Sequence, residues 1–140
     1  MDLNLNFTQV LNLLRAIYRP QNYYCLHVDL KTAEDVQQAI KAVANCFHNV
    51  FLASRSLNVT WGQFSVLEPE LICMQDLWNH KDWRYFINLT GQEFPLRTNH
   101  ELVKILTAYN GMNDVDGTQR LVSESVGILG PVNHKGLYQG

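Results

Sequence analysis

The chain has 140 residues, a formal net charge of -2 from eleven basic and thirteen acidic side chains, and 46% hydrophobic and 11% aromatic content. That is enough apolar material for a core, so a disordered tail is excluded. The charge balance leaves no basic footprint for nucleic acid or for a membrane surface.

The N-terminus, MDLNLNFTQV, lacks the positive region and apolar core of a signal peptide. No apolar run approaches the ~20 residues of a membrane span. In chain order, Thr8 is placed to cap a first helix carrying Val10, Leu11, Leu13, Leu14, Ile17 and Tyr18 at helical spacing, and Pro20 stops it. Tyr23 to Asp29 reads as a buried strand ending in a carboxylate. Thr32 and Asp35 resemble a capping box ahead of a second helix with Val36, Ile40, Val43 and Phe47 on its apolar face. Asn49 to Ser54 is a second strand. Ser65 and Glu68 form an S-x-x-E box before a third helix, with Pro69 in its first turn and Leu71, Met74, Leu77 and Trp78 expected inside. Trp83 to Thr90 reads as a third strand. Asn99 is the expected cap of a fourth helix that holds Leu102, Val103, Ile105 and Leu106 inside and ends before Gly111.

Helices and strands therefore alternate, which predicts an α/β fold with a mostly parallel sheet flanked by helices. Six of the eight glycines lie from Gly111 onward, periodicity disappears there, and Ile128-Leu129 remains as a weak edge strand. The expected division is one domain over 7–116 and an irregular, truncated tail over 117–140, with the sheet left unfinished.

Ligands of such sheets bind beyond the carboxyl ends of the strands. Asp29, the stretch Ser54 to Thr60 and the stretch Thr90 to Arg97 all fall there. Asp29 suits a nucleotide's ribose or base, or equally the cap of the next helix. His27 reads as a packed or hydrogen-bonded core histidine rather than a catalytic one. Trp61 followed by Gly62 offers an aromatic platform on a permissive backbone, or simply a ring at the edge of the core. Glu93 and Arg97 flank Phe94-Pro95 and suit either a site floor or a surface ion pair. The two common Gly-rich phosphate cradles are absent, and so is a D-x-D that would hold a divalent ion on a diphosphate. No Ser-His-Asp or Cys-His set emerges from spacing. Cys25, Cys46 and Cys73 form no CxxC pair, so no zinc site is expected. Sequons occur at Asn6, Asn58 and Asn88. Asn58 is expected to be exposed enough for a glycan, whereas Asn88 falls in the predicted strand, where a glycan does not fit.

Three segments carry a longer signal: "LLRAIYRPQNYYCLHVDLK" from Leu13, "VANCFHNVFLASR" from Val43 and "WRYFINLTGQEFPLRTNHELVKIL" from Trp83. Together they closely resemble the core-2/I-branching β-1,6-N-acetylglucosaminyltransferases, a family that also holds the peptide O-xylosyltransferases. The resemblance spans about Leu13 to Asp116. It implies an incomplete Rossmann-like GT-A fold and a Golgi-membrane enzyme facing the lumen. It also implies UDP-GlcNAc as donor, a glycan or glycoprotein acceptor in O-glycan branching, and inversion at the anomeric carbon with no metal or other cofactor. On this resemblance Asp29 is the aspartate at the uridine end of the donor site, and Trp61 and Gly62 border the donor. Glu93 stands where the family's G-Q-D-F-P has Asp, and Arg97 shapes the site floor. Asp116 takes the place of an acceptor-binding Glu. Cys25 and Cys73 match a pair that the family joins as a disulfide, while Cys46 matches a cysteine whose partner lies upstream of this chain, so it is unpaired here. Composition alone equally allows three buried thiols in a cytosolic protein, and the resemblance raises an oxidising compartment above that reading. The resemblance also places the general base and the cations that neutralise the diphosphate beyond Gly140, and the membrane anchor and stem before the chain. No catalytic residue is therefore assigned, and the chain alone is expected to be inactive. A xylosyltransferase relative and a non-catalytic glycan- or partner-binding remnant are the alternative expectations.

Overall fold

The computed structural model describes residues 7–80 and 82–114. Asn6, Asp116, the tail over 117–140 and the edge strand expected at Ile128-Leu129 lie outside the described residues. The chain separates into two compact units, Met1–Leu96 and Arg97–Gly140.

The first unit is built on two strands, β1 (Tyr24–Leu26) and β2 (Val50–Leu52). They pair in parallel, with Tyr24 opposite Val50, Cys25 opposite Phe51 and Leu26 opposite Leu52. Parallel neighbours need a crossover, and α2 (Glu34–Asn45) supplies it. A helix α1 (Phe7–Ile17) precedes the sheet. After it comes a short 3-10 turn (Phe64–Val66) and α3 (Glu68–Leu77).

Side chains of a strand alternate between faces, and this decides the layering. Tyr24, Leu26, Val50 and Leu52 belong to one apolar cluster with Leu14 of α1 and Ala44 and Val43 of α2. Tyr18 closes that cluster, its ring 4.9 Å from that of Phe47 and 5.8 Å from that of Tyr24. Cys25 points the other way and is disulfide-bonded to Cys73 of α3, with the two Cα atoms 5.6 Å apart. Phe51 shares that second face and meets His80, just past α3, at 5.0 Å between ring centroids. Helices thus cover both faces of the small sheet.

The one fully buried polar side chain among the described residues is Asn49. Its Nδ2 donates to the carbonyls of Asn22 (2.7 Å) and Arg19 (3.1 Å), and its Oδ1 accepts from the Tyr18 hydroxyl at 3.1 Å. Tyr24 adds a second staple: its hydroxyl donates to the Ile17 carbonyl and accepts the Arg19 amide. The exposed connection through Pro20 is therefore pinned by two side chains, Tyr24 from β1 and Asn49 just ahead of β2.

Several sequence expectations are corrected. Trp83 to Thr90 forms no strand among the described residues. Asp82 turns the chain with φ of 78°, and Ile87 and Leu89 are exposed rather than packed. An apolar, branched run becomes a strand only when a neighbour offers a ladder, and none meets it here. The sheet is therefore a two-stranded parallel pair. The strands are also shorter than expected, because 27–29 do not join the ladder.

Thr8 lies inside α1 rather than ahead of it. The cap position of α2 is Ala33, with no side-chain cap, and the Asp35 carboxylate instead takes its neighbour's amide, Val36. The S-x-x-E box at Ser65 does not form either. Leu67 occupies the cap position of α3. The buried face of α3 is Ile72, Cys73 and Leu77, whereas Leu71, Met74 and Trp78 are exposed and line a shallow depression with Gln75 and Asn79. The disulfide fixes the rotation of this helix, so Cys73 and not its apolar neighbours defines the inner side.

In the second unit, α4 (Asn99–Tyr109) has Thr98 as its cap, one residue before the expected Asn99. The Glu101 amide donates to Thr98 Oγ1 and the Thr98 amide donates back to Glu101 Oε2 at 2.9 Å, a complete capping box. Those hydrogen bonds from Thr98 hold the Glu101 carboxyl below its usual range. Asn110 ends the helix in the left-handed region and Gly111 follows with φ of 90°. Leu102 and Leu106 are half-buried, but Val103 and Ile105, expected inside, are exposed.

Candidate functional site

The carboxyl ends of β1 and β2 lead into two segments that meet: 27–31 after β1 and the loop from Ser54 to Gly62 after β2. His27 and Asp29 are two apart, so an extended backbone sends both side chains the same way. There they find amides that are also two apart. Leu57 N–H donates to His27 Nε2 at 3.1 Å and Val59 N–H donates to Asp29 Oδ2 at 3.2 Å. A backbone bond from Leu30 N–H to the Leu57 carbonyl (3.0 Å) runs between them. Asp29 Oδ1 accepts the Lys31 amide at 2.8 Å, and the Lys31 ammonium lies 3.5 Å from Asp29 Oδ2 while also donating to the Val59 carbonyl.

Two further side chains hold the same loop from α3 and its lead-in. Asp76 Oδ2 accepts the Ser54 amide at 2.7 Å. Ser65 Oγ accepts the Thr60 amide at 2.9 Å and donates to the Thr60 carbonyl. Arg55 adds a long ion pair to Glu68, 3.8 Å. Four amides of one loop, at 54, 57, 59 and 60, thus rest on four side chains from outside it. At the loop's far end Trp61 is 88% exposed, and Gly62 has φ of 76° with open space where a Cβ would stand. Glycine is required at that position by its backbone conformation and not by crowding.

The structure therefore brings Asp29 and the Ser54–Gly62 loop together, as the strand-end argument expects. It also shows that most of the hydrogen-bonding capacity of Asp29 is engaged by Val59 and Lys31. Glu93 is engaged locally: its carboxylate accepts the Thr90 amide while its own amide donates to the Thr90 carbonyl, closing the turn before Phe94. Arg97, in the second unit, lies 3.9 Å from Glu101 one helical turn on, on an exposed face with Lys104. Asp116 falls outside the described residues. Asn58 is exposed, its side chain projecting between the two inward amides of Leu57 and Val59. Asn88, expected to be shielded in a strand, is exposed too and donates to Glu70 Oε2 at 3.1 Å. Cys46 is a free, exposed thiol.

His27 is the hydrogen-bonded histidine that the sequence allows, Ser65 is bonded to the loop and does not cap α3, and Asp76 has no role in the sequence reading. The spacing of His27 and Asp29 carried a legible signal, since alternate residues of a strand share a face. Asp76 carried none, because only the placement of α3 brings it to Ser54. Burial pushes the His27 imidazole below its ordinary value, against an opposing pull from the Asp29 carboxylate.

Residues 5–125 match the family described as Core-2/I-Branching enzyme. The chain belongs to the Core-2/I-Branching enzyme family. It is 45% identical over 105 residues to a beta-1,3-galactosyl-O-glycosyl-glycoprotein beta-1,6-N-acetylglucosaminyltransferase 3 of Rattus norvegicus, covering 74% of this chain and 24% of the relative. It is 45% identical over 112 residues to the Homo sapiens beta-1,3-galactosyl-O-glycosyl-glycoprotein beta-1,6-N-acetylglucosaminyltransferase, covering 79% and 26%. A viral relative of the same description, from Bovine herpesvirus 4, is 43% identical over 105 residues, covering 74% and 24%. The chain thus spans about a quarter of the length of these curated relatives. For this member of the branching-enzyme family, the segment shared with its relatives includes the whole two-stranded sheet and the loop that follows it.

Proposed function

We propose that this chain forms the donor-binding part of an inverting β-1,6-N-acetylglucosaminyltransferase of Rossmann-like GT-A architecture that takes GlcNAc from UDP-GlcNAc without a metal and adds it to a glycan or glycoprotein acceptor. The observation that carries this reading is the meeting of Asp29 with the Ser54–Gly62 loop at the carboxyl ends of two parallel strands. Family membership supplies the chemistry: an acceptor hydroxyl, deprotonated, attacks the anomeric carbon as UDP departs. Asp29 faces the uridine end through the edge of its carboxylate that Val59 and Lys31 leave open. Trp61 gives a ring on which a base or sugar stacks. Gly62 bends the loop beneath it. Glu93 and Arg97 shape the floor, and Asp116 contacts the acceptor. No residue of the chain is assigned the proton-accepting role, so binding, not turnover, is the expected activity of these 140 residues. Asn58 is the glycan acceptor of the chain, and the lumen of the Golgi is its compartment.

Titration of the chain with UDP-GlcNAc, followed through the Trp61 indole resonance and the amides of 54–62, tests this. Saturable shifts confined to those residues are expected, with Asp29→Asn weakening binding about 10- to 100-fold, the worth of a charged hydrogen bond. UDP-xylose serves as the competing donor. Shifts absent with both donors overturn the reading, and preference for UDP-xylose moves it to the xylosyltransferase branch.

A further inference from the structure

The Ser54–Gly62 loop contains no regular secondary structure before the turn at Trp61, yet its course is set at four amides. Three of the side chains that hold it, Asp29, Asp76 and Ser65, are oxygen acceptors. The fourth, His27, is an imidazole at the middle of the loop. Leu57 N–H points at its Nε2, which fixes the ring's chemistry: a nitrogen that accepts carries no proton, so His27 is neutral with its proton on Nδ1. We propose that His27 is a positioning residue, which by accepting the Leu57 amide as the neutral Nδ1-H tautomer sets the path of the Ser54–Gly62 loop and with it the place of Trp61. Its relevance to donor binding rests on the donor-site reading above.

The placement explains why the clasp is a histidine and not another carboxylate. Asp29, two residues on, already carries a charge toward the same side and is balanced by Lys31. A second carboxylate there adds like-charge repulsion and takes a charge into a half-buried place. A neutral acceptor holds Leu57 without either cost. The clasp also works as a pair: the two amides at Leu57 and Val59 meet the two acceptors at His27 and Asp29 in register, so a slip by one residue loses both bonds.

The test is nuclear magnetic resonance on the 140-residue chain. In the wild type, the His27 nitrogen shifts are expected to show a protonated Nδ1 and an accepting Nε2, with a coupling across the hydrogen bond to the Leu57 amide nitrogen. His27→Phe is expected to speed exchange of the Leu57 amide at least about tenfold, leaving the β1–β2 ladder amides unchanged, and to move the Trp61 indole resonance. His27→Gln, which returns an acceptor, is expected to restore most of both. A protonated Nε2 in the wild type, or Leu57 exchange unaltered in His27→Phe, overturns the proposal, and the first of these needs no variant to fold. Loss of Leu57 protection in His27→Phe, together with a wild type that binds no UDP-GlcNAc, supports the clasp and overturns the donor-site reading alone.

Discussion

Asn49 shows what one buried amide does for this fold. Its side chain satisfies two carbonyls and a tyrosine hydroxyl in the α1–β1 connection. Asn49→Ala removes those bonds and empties the place of a fully buried side chain, and a loss of about 2–3 kcal/mol is expected from urea unfolding. His27 makes a second, pH-dependent prediction. Its folded-state pKa lies below the ordinary 6.5, so the unfolded chain binds the extra proton first. The stability it contributes is full above that ordinary value and is lost as pH falls from there through the lowered folded value. Burial is the larger cause and the Asp29 carboxylate opposes it; the Lys31 ammonium, 3.5 Å from Asp29, is the other charge beside this pair. Unfolding midpoints measured from pH 8 down to 5 are expected to fall for the wild type and to fall less for His27→Phe. Thr98 and Ser65 teach the opposite lesson about residue types: both are good helix caps, but only Thr98 is used as one. Ser65 spends its hydroxyl on Thr60 instead, a choice set by where the loop runs.

At the scale of elements, α3 is held by a covalent bond more than by an apolar stripe. The disulfide joins residues 48 apart in sequence, across the β1–α2–β2 crossover. By loop-closure entropy a bridge of that span contributes about 4 kcal/mol. The variant with Ser at both Cys25 and Cys73 is expected to lose about that much in urea unfolding, with exchange of the Ser54 amide rising as Asp76 drifts from it. The bond also decides which side of α3 is inner. The helix carries apolar residues nearly all round, so spacing alone left its orientation open, and the Leu71–Met74–Trp78 side was the wrong choice. The segment 83–90 marks a different boundary. Its composition suits a strand, yet it joins no sheet among the described residues. Strand pairing is a tertiary event, and its local pattern reports only suitability for it.

For the molecule as a whole, the chain spans about a quarter of its relatives and shows much exposed apolar surface. Trp61, Phe64, Leu67, Leu71, Met74 and Trp78 are all exposed in the first unit. Surface of that kind, with a two-stranded sheet whose outer edges meet no further strand among the described residues, favours self-association. Sedimentation at rising protein concentration is expected to show it, and Trp78→Lys is expected to reduce it while leaving the unfolding midpoint within about 0.5 kcal/mol of wild type. The sequence by itself determined the four helical segments, the first two strands and the family, because helical and strand periodicities and long motifs are local properties of the chain. Only the tertiary structure decided which strands find partners, which side of α3 faces inward, and that His27, Asp29, Ser65 and Asp76 converge on one loop. The disulfide and the bonds of His27, Asp29 and Asp76 join residues 22 to 48 apart in sequence, and local spacing does not encode which partner such a residue meets.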